Sequence, residues 1–280
     1  MSRSGVLRAS ASRDVVAALG VLAGAACLAA TPRDAVAQEV PAAPACLPFG
    51  PGEVLTYSVR VSLMGARGRN VMSVEGPTDV RGREAYVLKS SASVGIGPVR
   101  GTDRTTSWLD PARFAALRFV QHQRNVLSRD SDSVEINLEE RRWRNRAGKE
   151  GAVESDAPLD ELSFIYFIRT LPLGSDSAWS FRRHFDADRN PTDIRVTGRD
   201  TLDTPAGKFN VIEVKMRVRD RARYDGIGTI RLSISDDARR IPVRIRSVVP
   251  VAGSSTMTLA SIAGPTPSCG AARVGSGSTP

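Results

Sequence analysis

Apolar and polar residues alternate with a period of two through most of this chain. In EVLTYSVRVSL (53–63), Leu55, Tyr57, Val59, Val61 and Leu63 share one side, while Thr56, Ser58, Arg60 and Ser62 share the other. That is the signature of a half-buried β-strand. The same alternation recurs in REAYVLKSSASV (83–94), SVEINLEE (133–140), FNVIEVKMRV (209–218), TIRLSIS (229–235) and IPVRIRS (241–247). Turn signals separate these runs: Arg81-Gly82, Gly148, Pro205-Ala206-Gly207, Asp225-Gly226 and Asp236-Asp237. Short strands with turns between them predict a meandering antiparallel sheet, apolar on one face and charged on the other. Strand twist accumulates across such a sheet and curls it toward a half-barrel or open barrel. The expected fold class is therefore mainly β, one large curved antiparallel sheet.

One segment breaks the period. In SDAPLDELSFIYFIRTLPL (155–173), Leu159, Leu162, Phe164, Ile165, Ile168 and Leu171 recur at nearly helical spacing. The pattern predicts a helix over 156–171, with Ser155 or Asp156 as N-cap, Asp160 and Glu161 in the first turn and Pro172 as the stop. Its apolar face covers more than half the circumference and must be buried broadly. The concave side of the sheet is the place for it.

LSISDDARRIPVRIR (232–246) tests whether paired aspartates mark chemistry. The alternation on either side of Asp236-Asp237 does not continue in register across DDARR, as expected of two strands joined by a short loop. Asp accepts bonds from nearby loop amides, and Pro242 belongs at the start of a strand. TPAGKF (204–209) reads the same way, Pro205 and Gly207 shaping a reversal rather than a phosphate loop.

Before the strands, Arg3, Arg8 and Arg13 precede VVAALGVLAGAACLAA, and Ala35-Val36-Ala37 provides an A-x-A site. This is the pattern of a secretory signal peptide over 1–37, cut between Ala37 and Gln38. Cys27 ends LAGAAC, but Gly24 stands where a lipoprotein signal carries a large aliphatic residue, so lipidation at Cys27 is disfavoured. No later stretch approaches the roughly 20 apolar residues of a membrane span. Residues 38–52 read as an extended linker, 53–263 as a single β domain and 264–280 as a disordered Gly/Ser/Pro tail. The expected location is periplasmic or secreted.

Removing the leader takes away four arginines and two aspartates, leaving +7 of the full chain's +9. Such a basic surface suits an anionic envelope surface, although arginine richness can also be purely compositional. Export and the lack of any basic-aromatic motif exclude nucleic acid. Cys46 and Cys269 remain in the processed chain; in an oxidising compartment they close a disulfide or stand as two free thiols, and the bridge is the preferred reading. His122 and His184 are too distant in sequence to form a zinc spacing, and no calcium loop follows Asp236-Asp237. G-x-S-x-G is absent. No metal, cofactor or catalytic set is expected, and the chain is read as non-catalytic.

Four segments in order, PFGPGEVLTYSV (48–59), DELSFIYFIRTLPL (160–173), GRDTLDTPAGKFNVIEV (198–214) and LSISDDARRIPVRI (232–245), resemble the DUF3108 family of exported bacterial proteins of unknown function. Asp103 and TSWLD (106–110) match its pattern between the first two. Ser233 and Asp200 depart from it, where members often carry Trp and Glu. The resemblance implies a secreted or periplasmic protein with a curved antiparallel sheet. That build is similar to the lipoprotein carriers LolA and LolB, in which an unclosed barrel with a helical lid holds acyl chains. The family supplies no catalytic or binding residues. Asp103, Tyr166, Arg169, Pro205, Gly207, Asp236, Asp237, Arg240 and Pro242 are its motif residues, and structural roles are expected of them. Tyr166 and Arg169 should bond loop carbonyls or one of the aspartates and lock the helix to the sheet. The function expected is binding of a lipid or other hydrophobic envelope component. A partner-binding scaffold with a filled core and an envelope hydrolase are the alternatives, the hydrolase needing a cleft where Asp103, Tyr166, Arg169, Asp237 and Arg240 converge.

Overall fold

A computed structural model describes residues 46–62, 65–124, 129–220, 226–249 and 253–265. The signal-peptide reading, Cys27, Cys269, the first residues of the linker and the tail from 266 onward lie outside the described residues.

The strands are β1 (Val54–Val61), β2 (Arg67–Val80), β3 (Arg83–Ile96), β4 (Val99–Asp110), β5 (Ala115–Arg124), β6 (Arg129–Asn137), β7 (Arg142–Asn145) and β8 (Glu150–Ala152), followed by helix α1 (Glu161–Ile168). Then come β9 (Ala178–Phe181), β10 (Thr192–Thr204), β11 (Gly207–Asp220), β12 (Gly226–Ser235), β13 (Pro242–Val249) and β14 (Gly253–Ala263). They form one 14-stranded sheet in the order β8-β7-β6-β5-β4-β3-β2-β1-β14-β13-β12-β11-β10-β9. Every strand pair is antiparallel, and β14 returns to β1 with Val54 opposite Ala263. The sheet is curved but not closed by strand pairing. Its edges, β8 and β9, are only three and four residues long, which leaves little backbone free to recruit another chain. Register shifts at Thr56/Tyr57, Glu75/Thr78, Trp108/Leu109, Val196/Gly198 and Ser233/Ile234 mark bulges, each adding local twist to the curl.

The period-two sides predicted from the chain are the inner face. Leu55, Tyr57, Leu88, Ile212, Val214, Leu232 and Ile234 are buried in one main core with the residues of α1. Each such side chain contributes about 1.5–3 kcal/mol on leaving water.

α1 has eight residues, where the periodicity predicts a helix over 156–171. A helix this short is marginal in water and exists here through its cap and its burial. The cap is Asp160 rather than Ser155 or Asp156: its Oδ1 accepts from Leu162 and Ser163 amides at 2.9 Å each, and Ser163 Oγ accepts from the Asp160 amide at 2.8 Å. Asp156 instead pairs with Arg141 and Ser155 caps a turn at Ala157. The physical reason lies at Pro158, which biases its predecessor away from helix, while Leu159 is held in a parallel bridge to His184. After Ile168 the chain tightens, with Arg169, Thr170 and Leu171 amides each bonding three residues back. The helix thus stops before Pro172. Leu162, Phe164, Tyr166, Phe167 and Ile168 are buried and Ile165 is partly buried against the core. Leu47 and Phe49, expected in the linker, also pack into this core.

Antiparallel pairing sorts the turns into two ends. The turns after β2, β4, β6, β10 and β12 share the end that α1 occupies, here the capped end. The connections after β1, β3, β5, β7, β11 and β13 share the opposite, open end. Between the short edge strands, residues 182–191 run across the gap: Phe185 meets Trp143 edge to face and Phe119 at a tilt, at 5.5 and 6.4 Å between centroids, and Asn190 reaches Glu154 at 3.2 Å.

Candidate functional site

Two groups of polar residues stand out, one sealed and one open. The sealed group lies beneath α1 at the capped end. Arg169 bonds Glu53 in a fork, Nη1 to Oε1 at 2.7 Å and Nη2 to Oε2 at 2.8 Å, and Nη2 also donates to the carbonyls of Pro48 and Arg239 at 3.0 Å each. The two side chains are 0% and 1% exposed, so the pair is desolvated. Its geometry has to offset that cost, and a bidentate arrangement with two further acceptors does so. The Phe49 and Tyr166 rings flank the guanidinium at 5.0 and 5.3 Å. Burial disfavours the Arg169 cation, but the bonds to Glu53 outweigh it and hold its pKa above the ordinary value. Tyr57 donates to the Pro242 carbonyl at 2.8 Å, and burial raises its phenol pKa well above normal.

Near it, Asp160 accepts from Ser107 Oγ as well as its helix amides. Burial pushes its pKa up to about 6, against the lowering effect of those bonds. Arg183 donates to the carbonyls of Ala157 and Phe114, each at 2.7 Å, and lies 4.4 Å from the Phe167 ring. Burial lowers its pKa to about 10, still well above neutrality.

The open group lines a cleft of about 980 Å³ between β5–β7, the N-terminal turn of α1, the 182–191 crossing and the far end of β11. Its aromatic floor is Phe119, Trp143 and Phe185; its walls carry Asp130, Asp132, Glu161, Asp186, Asp188 and Asp220. Lys149, Arg189 and Arg219 stand among them, so carboxylates outnumber cations here although the full chain is +9. Arg189 bridges Glu161 and Asp220. Burial works against ionising Glu161, yet Arg189 and then His184 hold its carboxyl well below the usual range. Glu161 Oε2 has no hydrogen-bond partner among the described residues. Lys149 Nζ sits 5.3 Å from the Trp143 ring and 3.8 Å from Asp186.

The motif residues do not converge. Tyr166 and Arg169 are buried in the lock, where Arg169 pairs with Glu53 instead of an aspartate. The Tyr166 hydroxyl has no partner among the described residues, contrary to the expected bond. Asp103 lies on the inner wall of β4, accepting from Thr105 Oγ1 at 3.1 Å and Gln123 Nε2 at 2.9 Å. Asp236 pairs with Arg199 and Arg240 on the surface. Asp237 Oδ1 accepts from the Arg239 and Arg240 amides at 2.9 and 3.1 Å and from Ser235 Oγ at 2.8 Å, which makes the 236–241 segment a self-bonded turn. Pro205 and Ala206 form the reversal between Thr204 and Gly207, the glycine at φ 123°. Cys46 is held in a disulfide. Sequence reasoning missed Glu53, Asp160 as the cap and every cleft residue. Only Glu53 had a signal, as the lone acid in PFGPGEVLTYSV.

An open antiparallel barrel with an internal helix is the class this architecture defines. The chain belongs to the family described as "Protein of unknown function (DUF3108)", which matches over residues 56–260. Among solved structures it is similar to the β-barrel-like DUF1849 protein of Brucella abortus, with a TM-score of 0.52 and 14% identity over 79% of this chain and 100% of that one. A candidate exported protein with a YmcC-like fold from Bacteroides fragilis gives a TM-score of 0.31 at 14% identity over 78% of this chain and 98% of that one. None of the curated proteins matches.

Proposed function

We propose that this protein is a non-catalytic binding module of the bacterial cell envelope that holds an amine-headed amphiphile. Its ammonium group enters the acidic cleft, and its acyl part lies along the partly buried inner residues Val218, Ile230 and Met257. The observation that carries this reading is the pairing of carboxylates with an aromatic floor. Together they form a cation site, and Lys149 already rests its ammonium beside Trp143 in the way a ligand would. The unpartnered Oε2 of Glu161 offers a further acceptor. A bare fatty acid, being anionic, is disfavoured by the same walls. Export by a signal peptide belongs to this reading.

Native mass spectrometry of protein purified gently from membranes tests it, together with Trp fluorescence titration using short-chain phosphatidylethanolamine and phosphatidylglycerol. The expected result is co-purifying aminolipid and saturable binding of the ethanolamine lipid in preference to the glycerol lipid. Absence of bound lipid and no response to either probe would sink the proposal. That outcome favours the scaffold reading, which the Phe49, Phe114, Tyr166 and Phe167 packing at the capped end supports.

A further inference from the structure

Arginines line the outer face of the sheet from the open end to mid-strand. Arg60, Arg67 and Arg69 lie on β1 and β2; Arg100, Arg104, Arg124 and Arg129 on β4 to β6; Arg231 and Arg246 on β12 and β13. They alternate with the inward residues of the same strands, and all nine are exposed. None of them takes part in an ion pair among the described residues; the ion pairs engage other cations. Several face one another directly across strands: Arg60 opposite Arg67, Arg124 opposite Arg129 and Arg231 opposite Arg246. Like charges in directly opposed positions destabilise a sheet, so this arrangement gains nothing for the fold by itself. Four of them, Arg100, Arg104, Arg124 and Arg129, surround a groove of about 640 Å³ that also includes His122 and a single carboxylate, Asp130.

A second, independent observation falls on the same rim. The exposed large apolar residues among those described are Ile96 (43%), Val99 (48%), Ile227 (51%) and Val248 (43%). Each lies within two residues of the open-end limit of its strand. The capped end has none. Unneutralised guanidiniums set back from protruding aliphatic tips are complementary to a lipid leaflet, with phosphates at the level of the arginines and acyl chains reached by the tips.

We propose that the open rim docks on an anionic phospholipid surface, so that the mouth of the barrel faces the membrane. This goes beyond the cleft's ligand and does not require that reading to hold. Docking is electrostatic at first contact and anchored by Ile96 and Val99.

The experiment is vesicle flotation of the protein in the form the cell accumulates. The probes are phosphatidylcholine vesicles with and without 30 mol% phosphatidylglycerol, a composition chosen to give roughly the surface potential of an anionic leaflet. The expected result is salt-sensitive binding to the anionic vesicles only. Replacing Arg100, Arg104, Arg124 and Arg129 with Ser lowers the partition coefficient about 100-fold or more, four cationic contacts being lost. A capped-end control, Arg113→Ser with Lys208→Ser, retains binding, and Ile96→Ser with Val99→Ser removes the part that survives high salt. Thermal melts verify that each variant is folded. Equal binding to neutral vesicles overturns the proposal, as does unchanged binding of the four-Ser variant or equal loss in the capped-end control. Binding to a soluble polyphosphate with no vesicle binding also overturns it, assigning the collar to a polyanion. Trp143→Ala reads the cleft separately: the cleft proposal can fail while vesicle binding persists, and the reverse.

Discussion

The two ends of the barrel are made from the same strands yet solve opposite problems. At the capped end three charges that hold the fold are drawn into bonds. Arg169 has Glu53 and two carbonyls, Asp160 has Ser107 and two amides, and Asp237 has a turn's worth of donors. At the open end the inner wall is wet and acidic, the outer wall carries unpaired arginines, and aliphatic side chains stand in water. Buried charges survive only with partners, so the first end reads as stability. Exposed charge of one sign beside exposed apolar surface contributes nothing to folding, so the second reads as contact with something else. The stability of this molecule and its interactions are therefore segregated along the strand axis.

The sharpest way to break that contrast is to open the lock. Arg169→Ala leaves the Glu53 carboxylate buried and alone, a loss of about 3–5 kcal/mol. For a domain of this size that lowers the melting temperature by about 6–20 °C. A melt within two degrees of the parent would mean that the capped end is not the structural half.

Next is Asp160, whose pKa of about 6 sits above the ordinary 3.8. The folded state holds its proton more tightly than the unfolded chain, so this stabilisation is full below about pH 4 and is lost as pH rises through about 6. The shift corresponds to about 3 kcal/mol. Asp160→Asn keeps the cap without the charge. Relative to the parent it should gain stability between pH 4 and 7, a difference readable in melts across that range. Parallel pH profiles for the two proteins would show that Asp160 does not titrate in that window.

At the open end, Trp143→Ala should remove aminolipid binding by at least about tenfold, because a desolvated cation–π contact contributes on the order of 2 kcal/mol. Its cost to stability is that of one buried aromatic side chain in a satellite cluster. The smallest expected effect on the fold is that of Ser at Arg100, Arg104, Arg124 and Arg129. Since each is exposed and unpaired, the melt should move by no more than about a degree per residue, or rise where Arg124 no longer faces Arg129. A large drop there would place the arginines among the structural residues and dissolve the comparison.

Much of the architecture was legible because alternation is a local property. Leu55, Tyr57 and Val59, or Ile212, Val214 and Met216, reveal their shared side in the chain itself, and the break over 156–171 reveals the helix. The reach of that helix was overestimated, since hydrophobic spacing continues through Leu159 and Leu171 while the backbone does not. Asp160 claims the cap by bonding two amides, a competition that spacing does not register. The lock was half visible. Arg169 stands out on an apolar helix, but its partner Glu53 lies more than a hundred residues away and resembles any strand-leading acid.

The chain alone determined the β class, the one-sided burial, the turn at Asp236-Asp237 and the family, because each follows from residues adjacent in sequence or from ordered motifs. Only the tertiary structure decided that Glu53 meets Arg169, that scattered carboxylates from four segments gather above Trp143, and that the unpaired arginines and bare aliphatics share one rim. Those facts depend on how far a 14-stranded sheet curls and which turns it brings together. Curvature is the sum of small twists over the whole sheet, so no short stretch of sequence contains it.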